Sequence, residues 1–404
     1  MIVLGDKKYK AYQFSCWNLA FLILFIMNPY FRWILPNGLF QIVFIFTTVI
    51  SLIELKGSEL IVSLDSYRTK VCICIFLYIV YYTLPIFHSF QGGWFLNGII
   101  FLLILSYNTE VYIQAVIYLK KIFVIVCCFS LIIWVLHSLN IEAPYYNYIP
   151  DFRYHSTDRY RIYGLCVSLY SGNEGLIERI CGLFAEPGHF GIYIGLLMAI
   201  GKFRFNTISD FILLITGILT FSTAFYGIFV IGLIYRFIDY RSGIADLKYL
   251  FILALVVLPL FMLNPKFSYL AFGRLTENKK ISSITSFIDN RTNENTHTSY
   301  KSLMKSDNYL VGYGNIDNQK IQVTNWRGGI YRYGVVGISI MFLLIIVCLS
   351  NTQRKFSLSL LAISLLIMAH RIYLMYSLGI IMVIYIAANC FSFDEEYFDE
   401  FDSE

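Results

Sequence analysis

Apolar residues occupy this chain in long runs broken by short polar punctuation. Twelve stretches approach the roughly 20 residues that carry a helix across a hydrocarbon core: 13–35, 38–54, 71–88, 94–107, 122–139, 188–203, 209–222, 224–238, 247–264, 329–349, 356–370 and 372–389. The alternation of a barrel strand is absent from them. Backbone in lipid must satisfy its own hydrogen bonds, so each stretch predicts a helix. The expected fold is all-α, a polytopic integral membrane protein of about twelve transmembrane helices. The stretches 94–107 and 209–222 are the shortest fits. The first run has no cleavage site of small residues and continues from Phe14 past Trp33, which predicts a retained anchor.

The polar punctuation carries a sign. Lys7, Lys8 and Lys10, then Lys56, Arg68 and Lys70, Lys120 and Lys121, Lys202 and Arg204, Arg236, Arg241 and Lys248, and Arg354 and Lys355 fall at alternate ends of the expected spans. By the positive-inside rule both termini are then cytoplasmic. Two long connections, 140–187 and 265–328, fall on the outer side. The expected organisation is one membrane domain over 1–389, including both outer loops, followed by an acidic, solvated cytoplasmic tail at 390–404.

Composition supports this reading, with 58% hydrophobic and only 14% charged residues in 404, which excludes an ordinary soluble domain. The net charge of +5 is divided between two faces and does not suggest nucleic acid. Of nine cysteines, seven lie in or beside apolar runs as small hydrophobes. Cys166 and Cys181 share an outer loop and can form a disulfide in an oxidising compartment or stay as thiols.

The candidate chemistry lies in the outer loops. Residues 145–163 interleave Tyr145, Tyr146, Tyr148, Tyr154, Tyr160 and Tyr163 with Arg153, Arg159 and Arg161. Aromatic faces suit sugar rings and arginine donors suit phosphates. An aromatic belt at headgroup level is the equal alternative. The second loop carries Arg291, His297, Gly312-Tyr313-Gly314 and, at re-entry, Asn325-Trp326-Arg327. There, arginines can clamp a diphosphate through paired N–H bonds. The lysines at 279, 280, 301, 305 and 320 read as solvated surface.

Between the loops stands Arg179-Ile-Cys-Gly-Leu-Phe-Ala-Glu186-Pro187-Gly-His189. Proline suits a first helical turn, so a helix starts near Gly188 and holds the Glu186 carboxylate at its positive end. Glu186 then either caps the helix or, with His189 one turn on and Arg179 two turns back if that segment is helical, handles a hydroxyl proton.

This pattern resembles the Wzy-type O-antigen and exopolysaccharide polymerases, and their relatives the O-antigen ligases. The likeness rests on Arg179, Gly182, Phe184, Glu186 and Pro187, on the turn from Leu219 to Gly227, and on Arg291 followed by Gly312-Tyr313-Gly314. It rests also on Thr324-Asn325 with Gly334 and Gly337 beyond. Thr223 stands where the family's turn has an arginine, and Thr324 where many relatives have a histidine. The resemblance implies a GT-C-like glycosyltransferase in the bacterial cytoplasmic (inner) membrane. Its substrates would be undecaprenyl-diphosphate-linked oligosaccharides, with chain-length regulator and flippase proteins as partners. Glu186 and His189 would be catalytic, and Arg179, Arg291, Arg327 and Arg161 would hold diphosphate. Tyr160, Tyr163, Tyr313, Asn325 and Trp326 would contact sugar. No cofactor is expected, and arginines would serve as counter-charge in place of a metal. Ligase and lipid-linked-sugar transporter are the alternatives.

Overall fold

In the computed structural model the described residues are 6–27, 29–31, 35, 38–84, 88–139, 141–148, 159–170, 179–184, 186–239, 294–314 and 326–390, with backbone alone at 146–148, 159–160, 168–170, 239 and 294–297. The chain is mostly helical. Its elements are α1 (Asp6–Ile26), α2 (Leu39–Glu54), α3 (Ser66–Tyr78) with a π-helical turn (Ile79–Thr83), α4 (Gly92–Ile104) and α5 (Thr109–Ser138). Strands β1 (Tyr146–Tyr148), β2 (Arg159–Ile162) and β3 (Val167–Tyr170) precede α6 (Pro187–Ile200), α7 (Ile208–Leu219) and α8 (Thr223–Asp239). Then come α9 (Glu294–Leu303), a 3-10 turn (Asp307–Tyr309), α10 (Trp326–Leu349), α11 (Arg354–Arg371), α12 (Tyr373–Tyr376) and α13 (Gly379–Cys390).

Among the described residues α5 and α10 are long and apolar enough to cross a membrane, and six further apolar helices have 10–17 residues. Several expected boundaries move. The run 71–88 ends its helix at Thr83, which leaves His88 in the connection to α4. The run 122–139 belongs to a helix that begins at Thr109 and has 30 residues, about 45 Å at 1.5 Å per residue. Lys120 and Lys121 therefore lie within a helix and not at its end. The run 372–389 is divided between α12 and α13. The run 247–264 and the tail 391–404 lie outside the described residues. The first outer loop is not irregular throughout, since β1, β2 and β3 form an antiparallel sheet with Tyr146 opposite Ile162 and Arg161 opposite Ser168.

The chain divides into two compact units, one comprising 1–28, 35–119 and 288–398, the other 29–34, 120–287 and 399–404. In the first, α1 and α2 are tied by polar side chains: the Asn18 amide donates to Thr48 Oγ1 at 3.1 Å, and Thr47 Oγ1 donates to Asn18 Oδ1 at 2.8 Å. Such bonds between apolar helices hold them in register where lipid offers no competing partner. Helix α3 starts where the Asp65 carboxylate accepts from the Arg68 amide at 2.7 Å. It packs on α10, with Tyr67 Oη donating to the Cys348 carbonyl at 2.7 Å.

Helix α10 is broken at Gly334, whose backbone sits at φ 64° and ψ −176°. The segment 310–314 fills the break: the Val336 amide donates to the Leu310 carbonyl at 3.1 Å, Tyr313 to Tyr331 at 3.0 Å and Gly314 to Arg332 at 2.8 Å. Backbone groups released by a broken helix need such replacement partners. A Cβ at Gly334 would strike the Leu310 carbonyl, so glycine is required there by both space and φ.

In the second unit every residue of α6 is buried, as expected for a helix apolar on all sides. Helix α7 opens with a capping box in which Asp210 N donates to Thr207 Oγ1 at 3.3 Å and Thr207 N donates to Asp210 Oδ2 at 3.2 Å. Asp210 also meets Lys120 of α5 at 2.7 Å.

Candidate functional site

The site in the second unit is built on the start of α6. Pro187 occupies the first helical turn and Glu186 precedes it in an extended conformation, φ −136° and ψ 138°. The Glu186 carbonyl accepts from the amides of His189 at 3.0 Å and Phe190 at 3.3 Å. Its carboxylate makes no capping bond to the helix and turns instead to His189, whose Nε2 lies 4.0 Å from Glu186 Oε2. The Glu186 side chain is 29% exposed and that of His189 10%.

Residues 179–184 are not helical, so helical spacing does not set Arg179 above Glu186. Arg179 instead closes the turn between α7 and α8: its Nε donates to the Thr220 carbonyl at 3.1 Å and its Nη2 to the Phe221 carbonyl at 2.7 Å. Those carbonyls end α7, where a cation is favoured by the helix dipole. The turn lies against α6, since a Cβ on Gly191 would come within 2.9 Å of Ser222 Cβ and 3.0 Å of Phe225 Cβ. Arg179, the turn and the Glu186–His189 pair are thus built into one local structure.

The rest of the motif is structural. Gly182 has φ 55°, and a Cβ there would lie 2.5 Å from the Phe190 ring. Phe184 is fully buried, with its ring centroid 6.2 Å from Phe123, 5.9 Å from Phe190 and 4.9 Å from Tyr193. The Leu183 carbonyl accepts from the Tyr30 amide at 2.7 Å. This packing fixes the approach of the chain to Glu186.

Beside the sheet, the Arg161 guanidinium stands 4.5 Å from the Tyr145 ring centre, and Tyr145 packs on the buried Tyr163 at 5.7 Å. The Cys166 thiol faces the Val167 carbonyl at 3.7 Å, whereas Cys181 faces that of Arg179 at 3.6 Å. The side chain of Tyr160, with Arg291, His297 and Asn325, lies outside what is described.

In the first unit the Arg327 guanidinium lies over the Trp326 ring at 5.2 Å and the Tyr300 ring at 5.9 Å, the two rings themselves meeting edge to face at 5.6 Å. Tyr313 packs on Tyr331 at 5.1 Å and donates to Ser306 Oγ at 3.4 Å. Sequence reasoning named Arg332 among the re-entry arginines but passed over His88, Trp94, Tyr333 and Tyr376, whose rings pack together. Their positions within or beside apolar runs carried no distinguishing signal. Among the described residues no group of three or more His, Cys, Asp or Glu side chains could hold a metal ion.

No family model, curated protein or solved structure matches this chain. Function therefore rests on the residues themselves.

Proposed function

We propose that this chain is a membrane-bound polysaccharide polymerase that joins undecaprenyl-diphosphate-linked oligosaccharide repeat units on the outer face of the bacterial cytoplasmic membrane. The observation that carries the reading is the Glu186–His189 pair, 4.0 Å apart at the start of a buried helix, with Arg179 anchored in the adjacent turn. Two helices, α5 and α10, are long and apolar enough to cross a membrane, which supports a place in the membrane for this chemistry.

In this reaction a hydroxyl oxygen of the incoming repeat unit attacks the anomeric carbon of the growing glycan. The bond from that carbon to the diphosphate oxygen breaks, and its electron pair departs with undecaprenyl diphosphate. Glu186 takes the hydroxyl proton, with His189 beside it to share the charge. Arg179 is the cation assigned to the diphosphate, and Arg291, Arg327 and Arg161 are the further cations assigned to phosphate. Tyr160, Tyr313, Asn325 and Trp326 are assigned to sugar, whereas Tyr163, buried with Ile133 and Cys166, supports Tyr145 from behind. A pair poised to move one proton beside a cation is what glycosyl transfer from an activated diphosphate requires.

Transport of the same lipid-linked sugar is the second reading, favoured by one observation: α10 is broken at Gly334, as helices of transporters often are. That break falls at the ninth of the helix's 24 residues, nearer its middle than its start.

The deciding experiment supplies purified protein with a lipid-linked repeat unit. Polymerisation yields a ladder of longer products that disappears in Glu186→Gln. Vectorial movement of the lipid with no ladder makes the chain a transporter, and transfer to a second lipid acceptor without lengthening makes it a ligase.

A further inference from the structure

The stretch that leads into the break of α10 carries large apolar side chains on its outside. Met304, Tyr309 and Leu310 are each at least 40% exposed, while Leu303 beside them is fully buried. Lys301 and Lys305 are exposed on the same stretch, with Asp307 and Asn308 between the apolar positions. An exposed apolar patch rimmed by polar residues marks an interaction surface.

Helix α2 of the same unit tells what surrounds it. Its buried side chains include Gln41, Thr48 and Ser51, each 0–1% exposed, whereas Ile42, Val43, Phe46, Ile50 and Ile53 are 45–67% exposed. Polar side chains inside and apolar ones outside reverse the order of a helix in water. Such an outside is costly against water and suits acyl chains. Helix α10 has a face of the same kind: Val336, Ser339, Leu343 and Ile346, three or four residues apart, are exposed along it. From Tyr333 to Leu349 this helix carries no charge.

Backbone bonds fix the exposed stretch against that face. The Val336 amide donates to the Leu310 carbonyl at 3.1 Å, and the Tyr313 and Gly314 amides donate to the carbonyls of Tyr331 and Arg332. Leu310 is thereby held at the level of Val336, the first residue of the exposed stripe. Val336 stands four residues beyond Arg332, the last charged residue of the helix, or about 6 Å along it at 1.5 Å per residue. Amphipathic segments bury their apolar side about 5–10 Å into the boundary between headgroups and acyl chains. Non-helical backbone is tolerated at that depth only where protein supplies its hydrogen-bond partners, and the broken helix supplies them here.

We propose that residues 301–310 form a membrane contact in which Met304, Tyr309 and Leu310 enter the acyl edge of a phospholipid leaflet and Lys301 and Lys305 lie at its phosphates. Lysine stems run along apolar surface with the ammonium at the headgroups, and tyrosine collects at that boundary. The second long connection, expected wholly outside the membrane, is then pinned into it just before the chain returns to α10. This inference rests on the placement of α10 in the membrane and not on the reaction proposed for Glu186.

The test places the full chain in nanodiscs of phosphatidylethanolamine and phosphatidylglycerol, with a single trifluoromethylphenylalanine in place of Tyr309, Leu310 or Leu343. Fluorine relaxation is measured with dissolved oxygen, which concentrates among acyl chains, and with a water-soluble nickel chelate. At positions 309 and 310 oxygen is expected to enhance relaxation at least twofold more than the chelate, as it does at Leu343 on the exposed stripe of α10. A chelate effect that dominates at 309 and 310 while oxygen dominates at 343 leaves α10 in lipid and overturns this inference alone. A chelate effect that dominates at 343 as well overturns the membrane placement and this inference together. Protection of 309 and 310 from both reagents means that protein covers the patch, which also overturns the assignment. The replacement at Tyr309 keeps the ring and changes only its para substituent, so it carries the test even where the Leu310 variant is unstable.

Discussion

Arg179 Nη2 donates to the carbonyl of Phe221 at 2.7 Å, so the most specific arginine of the sequence motif closes a turn between two helices. Phe221 itself has φ 49°, a left-handed conformation that a bulky residue adopts at a cost. The bonds from Arg179 to Thr220 and Phe221 help to hold it there. Arg179→Met is therefore expected to lower stability by about 1.5–3 kcal/mol, the range for hydrogen bonds to a charged group. Chemical denaturation in detergent checks this. If Arg179 served diphosphate alone, substitution would weaken donor binding and leave the denaturation midpoint where it was.

The break at Gly334 gives a second expectation. Any side chain there adopts a strained φ and collides with the Leu310 carbonyl, so Gly334→Ala is expected to cost at least 1–2 kcal/mol. Because the Tyr313 and Gly314 amides depend on the same junction, their hydrogen exchange should accelerate together. An alanine variant with unchanged melting and unchanged exchange contradicts the described junction.

Lys120 and Asp210 form a 2.7 Å ion pair with side chains 29% and 12% exposed. The pair is neither fully exposed nor fully buried, so its loss should fall between those limits, at about 1–3 kcal/mol. A double-mutant cycle with Lys120→Met and Asp210→Asn, read by thermal melting, separates the pair from the part Asp210 plays in its capping box. Additive single effects would mean that the two side chains do not interact.

His88 supplies the pH dependence. Burial lowers its affinity for a proton in the folded state from the ordinary value of 6.5, and Arg332 adds to this. Among the described residues the groups facing it are Tyr81, Tyr333 and Arg332, none of them an acid that could offset the effect. The unfolded chain then binds the proton more readily, so stability is complete above about pH 6.5 and declines as pH falls below it. Melting temperature measured from pH 7.5 to pH 5 should drop more in wild type than in His88→Asn. Parallel profiles would show that His88 is not buried as described.

The start of α6 was legible in the sequence because proline and the preceding glutamate mark a helix entrance by a local rule: a helix was expected near Gly188 and begins at Pro187. The Gly312-Tyr313-Gly314 turn was expected only from the family resemblance, and both its glycines adopt positive φ. Helical spacing misplaced Arg179, since the chain from 179 to 184 is held by Gly182 and by the burial of Phe184, which are tertiary facts. The sheet had its signals in Tyr160-Arg161-Ile162 and Val167-Ser168-Leu169, β-forming residues on either side of Gly164-Leu165. The surrounding arginines drew attention to binding instead. The break in α10 and the His88 cluster were hidden because apolar composition is the same in a continuous helix and in one interrupted by a docked loop.

The most direct measurement is the product ladder formed from a purified lipid-linked repeat unit by wild type and by Glu186→Gln, both shown to be folded by matching melting curves. Loss of a positioned general base lowers the rate by about 10²–10⁴, so the variant is expected to leave the starting lipid unextended while wild type lengthens it. A full ladder from folded Glu186→Gln would contradict the assignment of Glu186 as the residue that takes the acceptor proton.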